Sequence, residues 1–131
     1  VRELLKDGVR AEDIVILSQR KLSSSGLEGS SPGGLTIRDL CSDEAPAHGD
    51  RQIDFCTMHA FKGLERRAVI AWNMAELETP DLERLHYCGL SRARSLLMIL
   101  LPERERNAVK RQFERNSAVV VRALAQQPTR A

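Results

Sequence analysis

The chain has 131 residues, 42% of them hydrophobic, and a formal net charge of +2, which fits one globular domain with one core. The near balance of charge, with Arg supplying most of the cations, does not by itself announce a nucleic-acid surface. Three Cys without close pairs argue for reduced thiols in a cytoplasmic protein rather than a disulfide framework, and neither a signal peptide nor an apolar run of roughly 18 residues is evident.

In chain order, Val1, Leu4, Leu5 and Val9 have helical spacing, and Asp7-Gly8 supplies a stop. Ile14 to Leu17 is a continuous apolar run, the pattern of a strand buried on both faces. From Arg20 the composition shifts to Ser and Gly, so residues 21–52 read as a flexible loop region, too poor in apolar residues to hold a core element. Within it, Leu35, Ile37 and Leu40 suit a short strand. The alternating Ile53, Phe55 and Thr57 predict a further strand, Met58 to Lys62 a one- to two-turn helix, and Ala68 to Trp72 the next strand. The link between the last two is short for a parallel crossover, which usually takes about a dozen residues.

Pro80 and Asp81 open a helix with Leu82, Leu85, Gly89 and Ala93 on one face. Leu96 to Leu101 is the most apolar strand and is expected at the sheet centre, with Pro102 ending it. Glu103 and Glu105 suit the positive end of a last helix whose Val109, Phe113, Val120 and Leu124 share a stripe. Residues 126–131 read as a frayed tail. Strands alternating with helices imply an α/β domain, a mostly parallel sheet with helices on both faces.

Two compact polar motifs stand out. One comprises Thr57, His59, Lys62, Gly63, Leu64 and Glu65. The other comprises Tyr87, Gly89, Leu90, Ser91, Arg92, Ala93 and Arg94. Both lie where a strand is expected to meet a helix, and ligands of open parallel sheets bind beyond the carboxyl ends of strands, where Thr57 falls. On position alone Arg92 reads equally well as a helix-end cation, and Lys62 suits either a phosphate or a neighbouring acid. Gly63 suits a tight turn. Gln19 and Arg20 read as a loop or as part of the same cleft. Trp72 reads as packing rather than a base-stacking platform, because no second aromatic accompanies it. Asp43 and Glu44 lie in a polar loop, so their likeness to an acidic metal motif is taken as coincidence. Cys41, His48, Cys56 and His59 lack the close Cys pair of a zinc site, and no metal site is expected.

The two motifs resemble the fifth and sixth helicase motifs of superfamily 1 DNA helicases of the UvrD/Rep type, in the family's order, and the likeness extends over roughly Ala11 to Pro102. The resemblance implies the second RecA-like domain of a motor, a three-layer α/β fold. Arg92 matches the arginine that reaches the terminal phosphate of ATP across the cleft between two such domains. Glu65 matches the carboxylate that accepts a hydrogen bond from the ribose, with Gly63 beside it. Thr57 and His59, with Lys62, match positions that touch the phosphate backbone of single-stranded DNA, contacts that position a strand without reading it.

The implied partners are single-stranded DNA and a preceding RecA-like domain of the same parent chain, with no membrane, and the implied cofactor is ATP with Mg2+, bound mainly by that other domain. A P-loop needs a Gly-rich turn ending in Gly-Lys-Ser/Thr, and no stretch here supplies one, so this stretch alone is expected not to hydrolyse ATP. Ser91 replaces the family's commoner Thr and Cys88 a small apolar residue. Arg66 and Arg67 stand where many members carry an apolar residue and then an acid, and the ribose contact is the role this bears on. Two other readings stay open: a non-catalytic nucleic-acid-binding or interaction domain on the same fold, and part of an RNA-directed ATPase.

Overall fold

The computed structural model describes residues 1–44, 47–75, 80–112, 114 and 115. Among these residues five strands form one sheet: β1 (Ile14–Ser18), β2 (Thr36–Asp39), β3 (Gln52–Thr57), β4 (Arg66–Ala71) and β5 (Ala93–Ile99). Their order is β2-β3-β1-β4-β5 and every pairing is parallel. Helices α1 (Arg2–Lys6) and α2 (Pro80–Leu90) accompany it, giving the α/β, RecA-like architecture expected.

The sheet divides the core into two clusters because successive side chains of a strand point to opposite faces. One face gathers Ile14, Ile16, Ile53, Phe55, Ala68 and Ile70 beneath Leu4 of α1 and Leu27 and Leu35 of the Ser/Gly segment. The other gathers Val15, Leu17, Cys56, Val69 and Ala71 against Met58 and Phe61, with Leu85 and Leu90 of α2 packed alongside. β1 is buried along its whole length, as its unbroken apolar run requires.

Several expectations need correction. The apolar strand near the C-terminal end is β5, and it is not central: it lies at the edge, where Leu96 to Leu100 are 36–46% exposed. An unbroken apolar run is compatible with either position, and only the strand order decides. The Ser/Gly segment does contribute to the core. Leu27 and Leu35 are each 8% exposed, and the Trp72 indole N–H donates to Ser25 O at 2.9 Å, so two leucines and one borrowed indole donor anchor it.

Met58 to Lys62 is a succession of turns rather than a helix. Ala93 begins β5 instead of extending the face of α2. Phe113, Val120, Leu124, the tail 126–131 and the side chain of Leu82 lie outside the described residues.

Candidate functional site

The two motifs are built around the link from β3 to β4. β1 lies between these strands, so residues 58–65 both step over it and return from its carboxyl end to the amino end of β4. The link makes that journey in eight residues by anchoring itself in the core. Met58 is 1% and Phe61 0% exposed, three positions apart on the inner side. His59, Ala60, Lys62 and Gly63 are thereby left on the outside. Thr57 closes the first turn: its carbonyl accepts from Phe61 N–H at 3.0 Å, and its hydroxyl accepts from Ala60 N–H at 3.3 Å. Lys62 N–H reaches His59 O and Leu64 N–H reaches Phe61 O. Gly63 has φ +84° with open space around it, so the left-handed backbone, not crowding, demands glycine.

Thr57, His59 and Lys62 therefore project from an exposed, core-anchored turn that starts at the carboxyl end of the sheet. Gln19 joins that end, its amide donating to Ala75 O at 2.9 Å. Glu65 and Arg92 lie elsewhere. β4 and β5 start together, with Arg66 paired to Ala93, and Arg66 N–H donates to Arg92 O at 3.1 Å. That bond brings Glu65 and Arg92 side by side at the amino ends of the strands. A six-residue strand rises roughly 20 Å, so about that distance separates them from Thr57. Thr57 lies at the carboxyl end, as expected, whereas Glu65 and Arg92 lie at the amino ends, because the link has already carried the chain back.

Arg92 sits one turn beyond α2, where its Nε donates to Cys88 O at 3.0 Å. The helix-end role is thus realised by Nε, since the last carbonyls of a helix attract cations; neither terminal nitrogen of the guanidinium takes part in that bond. Gly89 brings α2 against the β3–β4 link: a Cβ there would lie 3.0 Å from Met58 Cγ and 3.1 Å from its sulfur. The two motifs are in direct packing contact through Gly89 and Met58.

Beside Glu65 an open depression of about 570 Å³ is lined by Arg10, Glu12, Asp13, Arg66, Arg67, Arg94 and Ser95. Arg10 is engaged by Glu12 at 2.7 Å and Asp13 at 3.1 Å. The register between β4 and β5 shifts here, so Arg67 faces both Arg94 and Ser95, a bulge of the kind that re-aims side chains next to functional sites.

Asp54 is the residue that reading the sequence missed. It is 1% exposed, yet it accepts from Arg38 Nε at 2.7 Å, Arg38 Nη2 at 3.0 Å and Arg66 Nη2 at 3.1 Å. His48 Nε2 lies 3.9 Å away. The Arg66 guanidinium lies 5.7 Å from the Phe61 ring centre and donates through Nη1 to Glu65 O. Arg66 therefore ties Glu65, Arg92 and Asp54 together, and its departure from the family pattern is matched by a buried carboxylate. Asp54 alternates with Ile53 and Phe55, but β3 lies inside the parallel sheet and is covered on both faces, so the alternate position is buried as well.

No helix among the described residues is long and apolar enough to cross a membrane. A comparison with curated proteins gives no match. The family model for the UvrD-like helicase C-terminal domain matches residues 53–100, the stretch from β3 through the turn, β4 and α2 to β5. Both motifs fall inside that match, so the stretch from β3 to β5 is similar to the UvrD-like helicase C-terminal domain.

Proposed function

We propose that the chain is the second RecA-like motor domain of an ATP-dependent DNA helicase or translocase, and that its two motifs serve two ligands at opposite ends of the sheet. The observation that carries this reading is the Arg66 N–H to Arg92 O bond, which sets Glu65 and Arg92 together at the amino ends, next to an arginine-lined depression. The exposed Arg67 and Arg94, beside Glu65 and with Glu12 and Asp13 already engaged by Arg10, suit a polyanionic ribonucleotide. Glu65 would accept a hydrogen bond from the ribose, and Gly63 sets the turn that delivers it. The Arg92 guanidinium would face the terminal phosphate of ATP held, with its Mg2+, mainly by the preceding RecA-like domain. A permanently charged planar cation there stabilises charge on the transferring phosphoryl group, an effect worth roughly 10³ to 10⁵ in rate.

At the other end, Thr57, His59 and Lys62 would contact phosphates of single-stranded DNA, with the core-anchored turn holding them in place. The two ends share one rigid link, so domain closure around nucleotide would move the strand contacts as a body.

The test is ATP turnover by the full-length parent chain with and without single-stranded DNA. Arg92→Ala should remove strand-stimulated turnover by about 10³ or more while leaving ATP affinity within a few-fold. Unchanged turnover would end the arginine-finger assignment, and a folded full-length chain with no turnover would favour the non-catalytic binding module.

A further inference from the structure

Cys41 and Cys56 have no part in the helicase reading, yet the fold brings them together. Cys41 is exposed on the turn after β2, and Cys56 is buried in β3 at 2% exposure. Their sulfurs are 3.6 Å apart. The Cys41 sulfur is held there by further contacts, accepting from Thr57 N–H at 3.4 Å and lying 3.7 Å from the Thr57 hydroxyl. Cys41 N–H donates to Asp39 Oδ1 at 2.9 Å, which fixes the turn that carries it.

We propose that Cys41 and Cys56 form a reversible intramolecular disulfide on exposure to small-molecule disulfides such as oxidised glutathione, stapling the turn after β2 to the end of β3. The sulfurs need to close by about 1.5 Å to reach a bond of about 2.05 Å. Cys41 supplies that movement from its exposed turn while Cys56 stays fixed in the sheet.

Access and acidity assign the order of steps. Burial, with the neighbouring Cys41 thiol, pushes Cys56 up to about 12, so the nucleophile at neutral pH is the solvent-exposed Cys41. Its thiolate attacks one sulfur of the glutathione disulfide, and one glutathione leaves as thiolate. Cys56 sulfur then attacks the Cys41 sulfur of the mixed disulfide. The second glutathione departs with the electron pair and takes up the proton that Cys56 gives up. In sum, two protein thiols and one oxidised glutathione become one protein disulfide and two reduced glutathiones. The second step is intramolecular between groups already in contact, so it outruns capture by a further glutathione. Such pairs in reducing compartments are transient and redox-sensing rather than structural. The consequence falls on Thr57, whose N–H loses a thiol acceptor when that sulfur enters the S–S bond. The chemistry itself is independent of what the domain binds.

The test uses the full chain in a Cys88→Ser background, which removes the other exposed thiol, equilibrated with oxidised glutathione and followed by intact mass and non-reducing peptide mapping. The expected product is two hydrogens lighter, without a glutathione adduct, carries a peptide joining Cys41 to Cys56, and reverts with reduced glutathione. Adding Cys56→Ser should strand glutathione on Cys41 as a stable adduct, and adding Cys41→Ser should leave the chain unmodified. In denaturant the advantage of the pair over the glutathione adduct should collapse. A folded Cys88→Ser chain that accumulates the Cys41 adduct, or stays fully reduced under conditions that modify Cys41 in the Cys56→Ser variant, would overturn the proposal.

Discussion

Replacing Asp54 with Asn keeps the shape of the side chain and removes its charge, which isolates what the carboxylate does for its neighbours. The carboxylate is 1% exposed, and its two arginine partners are 13% and 26% exposed in their side chains. Two opposite charges at about 4 Å attract by about 4 kcal/mol at an effective dielectric near 20. The two pairs therefore gain about 8 kcal/mol gross, offset by several kcal/mol of desolvation per ion.

In Asp54→Asn the attraction vanishes while the desolvation of both guanidiniums remains, so the expected loss is about 3–5 kcal/mol. That is a large share of the 5–15 kcal/mol typical of a domain. Urea unfolding followed by fluorescence reads it directly, because Trp72, the single tryptophan, packs against the first core cluster. With a slope of about 2 kcal/mol per molar, the midpoint should fall by about 2 M. The companion variant Arg38→Met, Asp54→Leu, Arg66→Met removes all three charges and should lie closer to the parent than Asp54→Asn does. A loss below about 1 kcal/mol in Asp54→Asn, or a triple variant no more stable than it, would refute the claim that the carboxylate offsets the burial of both arginines.

Gly63→Ala forces a side chain into φ +84° and should cost about 1 kcal/mol in the same urea assay; no loss would mean the turn relaxes to a right-handed path. Cys56 titrates near 12 in the fold against an ordinary value of 9.0. Its protonated form is thus favoured by the native state, and the associated stability is complete below about pH 9 and is lost as pH rises towards 12. Under reducing conditions the parent should lose more stability than Cys56→Ala between pH 8 and 10.5, both approximate set points for the comparison, and parallel profiles would remove Cys56 as the cause. His59→Ala, an exposed change on the core-anchored turn, should leave thermal unfolding unchanged while weakening single-strand binding by the full-length parent. An unchanged affinity would take His59 out of the strand contact.

The sequence by itself determined the fold class, most strand positions, and the two motifs, and these have local causes. An unbroken run such as Ile14 to Leu17 needs cover on both faces, Pro80 opens a helix, and Gly63 follows from a turn that needs a left-handed residue. Roles for Thr57, His59, Lys62, Glu65 and Arg92 could be proposed from residue type and order because the resemblance resides in those short stretches. Strand order decided the rest. It sent the apolar β5 to an edge, set β1 between β3 and β4, and so returned Glu65 to the opposite end of the sheet from Thr57. It also turned Asp54, Arg38 and Arg66 into one buried ion-pair cluster and brought the Cys41 and Cys56 sulfurs to 3.6 Å. Those contacts join residues 12 to 16 positions apart, and no local periodicity encodes which strand becomes the neighbour of which. Only the packing of the whole sheet fixes that.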